Sequence, residues 1–528
     1  MDFNIAMRLP ARLARLSFLQ AVLPSGSHSV APLSRDMSRW FADLPSDKPL
    51  VILDNLTQRA ASIASSSESP SKRFRQIEQM LNHAEPLLKR FETQLDQCRL
   101  PLDTASRHAS EACDRLLKAL SEACVKIVQA MDGSALQRHL HGKIFGAAIL
   151  RAAQLIHRRA AIAQRARSAG SPRRWKMLRR LLLLAEAHNL SRIPAFDHDT
   201  DTVEQVVVRD CLLALCDPAS LEGAELSRLR FYIARFGHLA TLSAETPAPE
   251  DLGPGMFVFS DAERGPGKLK PGQALLDKER LLDCRQLVDR IQQQLAGLRQ
   301  GLHATKLGLP MVANEASYAF MLTRCAEQWS DSRSSRKMKQ DYQPLATLIT
   351  GFDPVRQYLS SGAWKSLQNG RPRVVGAIPA VACEWRIFEQ ARTGFSLREA
   401  GPHTLPINVG ELVAMRPLER ASVHLSIVRR ARSHETTGKE ISLERLCGTA
   451  LPHTIDKKLP DGNIQTLPVL LLPRVQCFEG NPGLLAPHGD LKPGVRITVE
   501  QREGNVTFEV VAVVEKLASC ELAQLKRV

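Results

Sequence analysis

The chain has 528 residues, a formal net charge of +16, 44% apolar and 24% charged residues. That length exceeds one ordinary core and predicts two to four domains, and the balance excludes a collagenous or wholly disordered chain. Aromatic residues make up only 5%, which suits a helical body packed with Leu and Ala better than an all-β protein.

The eleven cysteines form no CxxC pair and no Cys/His cluster at zinc spacing. They read as reduced thiols of a cytoplasmic protein, several of them, such as Cys113, Cys124 and Cys325, inside apolar helical patterns. Residues 1–24 carry Arg8, Arg12 and Arg15 without a continuous apolar core, a poor secretory signal. No stretch approaches the roughly eighteen apolar residues of a membrane span.

Residues 1–69 form an N-terminal segment, partly flexible, closing in the Ala/Ser run of residues 61–67. A helical domain is expected over 70–245. Its first helix has an apolar stripe at Phe74, Ile77, Leu81, Ala84, Leu88, Phe91 and Leu95, with Pro86 expected to kink or divide it. A second stripe runs from Ala109 to Met131 after the turn at Leu100-Pro101. Residues 131–180 follow as one or two helices with twelve Lys or Arg against one acid, Asp132. A balance of about +11 attracts nucleic acid, an anionic surface or a phosphorylated ligand. Thr202 with Gln205 signals a capping box for the next helix, which Asp217-Pro218 stops. One more helix ends at Gly237 as a C-terminal cap. Short turns between helices suggest a bundle or an irregular α-solenoid, and no fixed repeat is found.

Residues 246–273 are rich in Pro and Gly and read as a linker. A helical connector is expected over 274–329 and a β domain over 330–528. Residues 384–388 and 423–428 alternate in polarity, and Val495, Ile497, Val499, Val506, Phe508 and Val510 describe a hairpin with one buried face. No phosphate loop, GxGxxG, HExxH or GxSxG motif occurs, so no catalytic or metal-binding residues are assigned and an enzyme is not expected.

The β part opens on a basic cluster, Arg333-Ser334-Ser335-Arg336-Lys337, and continues with a Trp385-led strand into Glu389-Gln390-Ala391-Arg392-Thr393-Gly394. Val409-Gly410-Glu411-Leu412 comes later. In this order the chain resembles the PilZ family, and within it proteobacterial proteins that place a PilZ-like domain after a long helical region. The resemblance extends over most of residues 70–520 and is weaker outside the β part. It implies a multidomain α + β protein: a mainly α-helical N-terminal region, then an antiparallel six-stranded PilZ-like β-barrel with an extra β-hairpin. It also implies cyclic di-GMP as ligand, with no other cofactor.

The family signature, RxxxR then [DN]xSxxG, maps the ligand site onto Arg333, Arg336, Lys337, Glu389, Arg392 and Gly394. Arginines on the arm would chelate phosphate and stack on guanine, and the glycine would let the backbone turn close to the ligand. Lys337 replaces the second Arg, Glu389 the Asp or Asn, and Ala391 the Ser. Each departure costs on the order of 1 kcal/mol or more in a desolvated site. Two readings stand: a bacterial cyclic di-GMP effector acting through protein contacts, and a ligand-independent scaffold in which the arm is a solvated basic segment and Gly394 a turn residue.

Overall fold

A computed structural model describes residues 35–528 except residues 46, 99, 101, 135–140, 169, 172, 197–200, 222, 261–264, 270–273, 331–337, 340–342, 362–366, 369–370, 373–381, 392, 402–405, 419–422, 435–437, 448–449, 459–463, 476–477, 479–480 and 502–503. Among the described residues, eight helices come first: α1 (Arg35–Ala42), α2 (Pro49–Ser65), α3 (Pro70–Asp96), α4 (Thr104–Asp132), α5 (Gly142–Arg165), α6 (Arg173–Ala187), α7 (Val203–Leu215) and α8 (Gly223–Phe236). The Ala/Ser run thus belongs in part to the end of α2.

Local chemistry sets the helix boundaries. Pro70 sits in the first turn of α3, and the side chain of Ser69 accepts from Lys72 N. The carboxylate of Asp103 caps α4 by accepting from Ser106 N at 2.8 Å. Thr202 and Gln205 form the reciprocal capping box expected of them. Pro86 does not divide α3, which runs through it with its apolar stripe buried on both sides. Gly237 ends α8 by opening a 3-10 turn at Gly237–Leu239, with negative φ rather than a left-handed cap.

A four-stranded antiparallel sheet follows: β1 (Thr241–Ser243), β2 (Met256–Phe259), β3 (Gly267–Lys268) and β4 (Arg280–Asp283), in the order β1-β4-β2-β3. Residues 246–273 therefore contribute two strands, and Phe257 and Phe259 bury themselves in the helical core. Helices α9 (Arg285–Arg299) and α10 (Ala316–Trp329) complete this body. Trp329 is fully buried, its Nε1 donating to the Leu212 carbonyl at 3.0 Å.

The β part opens with β5 (Met338–Lys339), β6 (Leu345–Thr350), helix α11 (Phe352–Ser361) and a small hairpin, β7 (Leu367–Gln368) with β8 (Arg371–Pro372). Then come β9 (Ala382–Ala391), β10 (Gly394–Glu399), β11 (Leu412–Pro417), β12 (His424–His434) and β13 (Gly438–Cys447). Strands β6, β9, β10, β13, β12 and β11 pair in that order, and β11 returns to β6, so the sheet closes as a six-stranded antiparallel barrel. Its core holds Trp385, Ile387, Phe395, Leu397, Val428 and Leu443, the inward residues of alternating strands.

A second six-stranded antiparallel sheet follows: β14 (Leu451–Lys458), β15 (Ile464–Leu472), β16 (Gly483–Ala486), β17 (Arg496–Gln501), β18 (Gly504–Lys516) and β19 (Glu521–Arg527). The order β14-β15-β16-β19-β18-β17 brings β14 and β17 side by side, a nearly closed barrel. The terminal hairpin anticipated from residues 495–510 is present as β17 and β18, and it forms two of these six strands. The two barrels share one apolar core, with Val355 and Leu359 of α11, Ile427 of the first barrel and Leu470, Leu485 and Leu522 of the second.

Within the helical body, α5 packs against α3, α4, α6 and α7. Arg151 binds Glu78 at 2.6 Å, Arg158 binds Glu85 and Glu92 at 2.5 and 2.7 Å, and Arg165 binds Asp96 at 2.8 Å. Arg159 pairs with Asp114 on α4, and His157 and Arg174 face the buried Asp210 on α7. Burial raises the carboxyl pKa of Glu92, but Arg158 and Arg165 outweigh it and hold that pKa below the usual range.

Breaking a buried pair leaves an uncompensated charge, so Arg158→Met should lower stability by about 3–5 kcal/mol. Arg115→Ala, which removes a half-exposed pair with Asp54, should change it by less than about 1 kcal/mol. Denaturant unfolding of both variants checks the contrast. A depressed carboxyl pKa stabilises the fold above the unfolded value of roughly 4.3, and the gain is lost as pH falls through the lower folded value. Denaturation midpoints measured from neutral pH downward through that window should therefore fall less steeply in Glu92→Gln than in the wild type.

Candidate functional site

The segment singled out for ligand contact is the hairpin of β9 and β10. Ala391 pairs with Gly394, Gln390 with Phe395, and Glu389 with Ser396. On the other side of β9, Met338 pairs with Gln390 and Lys339 with Glu389. The residues immediately after Lys337 are thereby held against Glu389 and Gln390. Of the six candidate residues the structure places Glu389 and Gly394 on one hairpin; Arg333, Arg336, Lys337 and Arg392 lie outside the described residues.

Gly394 has a packing reason to be glycine. A Cβ built there would stand 1.9 Å from the Leu443 carbonyl oxygen on β13. The two backbones cross too closely for any side chain, and positive φ is not involved. Next to that crossing, Thr393 O accepts from Arg445 N at 2.8 Å.

Sequence reasoning missed Arg445. Its guanidinium lies 5.0 Å from the ring centroid of Phe395, and the Phe395 ring is 5.2 Å from that of His424. The Nε of Arg445 is buried without a hydrogen-bond partner, and burial pushes its pKa down. A guanidinium over an aromatic ring, one strand from the hairpin, has the chemistry to grip a phosphate or a guanine edge. Nothing in the sequence marked it, because Glu444-Arg445 reads as ordinary charge on an alternating strand.

Glu444 stands opposite Gly394 in register. It accepts from Arg429 Nε at 2.5 Å, and the same guanidinium grips Glu515 of the second barrel. These two carboxylates hold the Arg429 pKa above its usual value despite burial.

The basic segment of residues 131–180 takes a different form from the surface its composition suggests. Five of its arginines, Arg151, Arg158, Arg159, Arg165 and Arg174, face acids of neighbouring helices. Among the described residues, no group of His, Cys, Asp and Glu is placed to hold a metal, and no helix is long and apolar enough to cross a membrane.

With the fold in place, comparison with known families separates the two halves of the chain. Residues 35–248 match the family model described as “Cyclic-di-GMP receptor FimW, N-terminal domain”. The matched segment runs from α1 through β1 and contains the whole ladder of ion pairs. The barrel of β6 and β9–β13 lies beyond it and fits a PilZ-like fold by its six-stranded antiparallel closure. No curated protein matches the chain.

Since any Cβ at position 394 must push β10 away from β13, Gly394→Ala should destabilise the first barrel by roughly 1–3 kcal/mol. Thermal unfolding should show this with or without a nucleotide, which separates the packing role of Gly394 from ligand contact.

Proposed function

We propose that this chain is a non-catalytic bacterial signalling protein of the cytoplasm that binds cyclic di-GMP and acts through altered protein contacts. The observation that carries this reading is the presence in one chain of a segment matching a domain family described as a cyclic-di-GMP receptor and a barrel that fits a PilZ-like fold. The ligand would lie along the β9–β10 hairpin. Arg333, Arg336, Lys337 and Arg392 would supply positive charge for two phosphates, and Arg445 a guanidinium over Phe395. The carboxylate of Glu389 remains an unfavourable neighbour for phosphate. Affinity is expected to be weaker than a complete signature would give.

A ligand-independent scaffold is the second reading, and one observation favours it: the close crossing at Leu443 explains Gly394 without a nucleotide. Isothermal titration of the full chain with cyclic di-GMP separates the two. The effector reading expects saturable heat, weakened about tenfold or more, ~1.4 kcal/mol, by Arg333→Ala and by Arg445→Ala in folded protein. No heat at roughly tens of micromolar nucleotide, which corresponds to binding weaker than about 6–7 kcal/mol, would leave the scaffold.

A further inference from the structure

Helix α6 buries one face, with Trp175, Leu178, Leu181, Leu182 and Ala185 in the core of the body. Its opposite face carries Arg173, Lys176 and Arg180, then Leu183 and Ala187, a single stripe at alternating spacings of three and four residues. Arg173, Lys176, Arg180 and Ala187 are exposed and Leu183 is half-buried. Among the described residues the three cations make no ion pair.

The fold does not call for this placement of charge. The first turn of α6 holds no acid, so Arg173 stands at the positive end of the helix dipole with nothing on its own turn to offset it. Arg174 beside it is turned inward to Asp210. Arg179 donates to the Lys278 carbonyl at 3.3 Å, which brings the loop of residues 274–279 alongside α6. Lys278 is exposed there, and Leu276 is 70% exposed.

The acids around this face are few. Glu122, which lines a groove with Arg173, has Lys118 one turn before it on α4, and the exposed Asp277 precedes Lys278. Glu186 is taken by Arg280 and Asp114 by Arg159. Glu245 is exposed on the far side of the loop, next to Thr246, whose hydroxyl accepts from Leu275 N. Residues 261–264 and 270–273 lie outside the described residues, and by sequence they set Asp261 and Glu263 against Arg264 and Lys270. A positive excess therefore remains on the α6 stripe.

Cations along one helix face, with a leucine in the same stripe and another standing clear of the surface beside it, match a bilayer surface. Headgroup phosphates suit the guanidinium and ammonium groups, and the acyl boundary suits leucine. Nucleic acid would engage the cations but gives exposed leucines no partner, and Trp175, the aromatic residue of α6, is buried and cannot stack a base. We propose that the outward face of α6, Arg173, Lys176, Arg180 and Leu183 with Leu276 beside it, docks the protein on an anionic phospholipid surface. The buried face already holds the helix in place, so docking needs no refolding. This surface is separate from the β9–β10 hairpin and stands whether or not cyclic di-GMP binds there.

The test is sedimentation of the full chain, at constant ionic strength, with vesicles of phosphatidylglycerol and phosphatidylcholine in equal parts and with vesicles of phosphatidylcholine alone. The wild type should bind the anionic vesicles about tenfold or more tightly than the neutral ones. Combining Arg173→Glu, Lys176→Glu and Arg180→Glu should abolish that preference, and Leu276→Ser should weaken binding to the anionic vesicles severalfold. An acid in the first turn suits the helix dipole, so Arg173→Glu alone should melt no lower than the wild type while binding the anionic vesicles less tightly. Absence of binding to the anionic vesicles, or equal binding by the triple variant, overturns the proposal. So does duplex DNA bound more tightly than these vesicles with no effect of Leu276→Ser.

Discussion

The helical body depends on a ladder of charge with a seven-residue period. Glu78, Glu85 and Glu92 recur along α3, and Arg151, Arg158 and Arg165 recur along α5. Seven residues is close to two helical turns, so each set occupies one face of its helix. Arg151 meets Glu78, Arg158 meets Glu85 and Glu92, and Arg165 meets Asp96, so both series advance together and the two helices run parallel. Helix α4 makes the return journey between them. A buried charge without its partner is far costlier than a buried pair is favourable, so the ladder selects this register against slipped ones. It also explains why part of the most basic stretch of the chain is turned inward, while Lys143, Arg173, Lys176 and Arg180 stay exposed. At the end of α5 the series closes with Arg165 on Asp96.

The contacts beyond the body are of two kinds. The barrels are joined through a common apolar core and through Arg429, which grips Glu444 and Glu515 from either side. The body meets the first barrel through Leu100, which is buried in that barrel's core and bridges to Ile407, and through polar contacts. Arg430 and Arg432 of β12 both reach Asp217 at 3.1 Å, and Ser433 N donates to the Arg167 carbonyl at 3.0 Å. Arg167 and Asp217 have φ of 56° and 46°, a left-handed conformation uncommon outside glycine. Among the described residues, two of the three non-glycine residues with positive φ, Arg167 and Asp217, therefore face the same strand of the barrel, the third being Asn189. Strain of this kind persists only where surrounding contacts impose it.

Much of this architecture is legible in the sequence. The apolar stripes of α3 and α4, the capping box at Thr202, the Trp385 strand and the hairpin near the C-terminus are local signals, each contained within one element. The remainder depends on pairs of elements distant in sequence. The positive balance of residues 131–180 is visible, but the acids that neutralise it sit on α3, α4 and α7, and only the shared period of seven hints at them. The second barrel is obscured because β15 and β16, with Leu470–Leu472 and Leu484–Ala486 all buried, read as continuous apolar runs rather than alternating strands. Arg445 gains meaning only from Phe395, fifty residues earlier, whose ring it covers.

These unequal contacts indicate which joint can move. Separating the barrels would expose a core of leucines, valines and isoleucines, at roughly 25 cal/mol for each Å² returned to water. Separating the body from the first barrel breaks ion pairs whose side chains are about a third exposed, and such pairs contribute roughly 0–1 kcal/mol each. It also releases two residues whose backbone conformations cost of order 1–3 kcal/mol apiece. Burial of Leu100 in the first barrel's core adds an apolar contribution of roughly 1.5–3 kcal/mol to this joint, still far smaller than the core the two barrels share. Arg429 connects the strand facing Gly394 to Glu515 of the second barrel, while the barrels meet the body through the grip of β12 on Asp217, through the Leu100–Ile407 bridge and through α10 against β18.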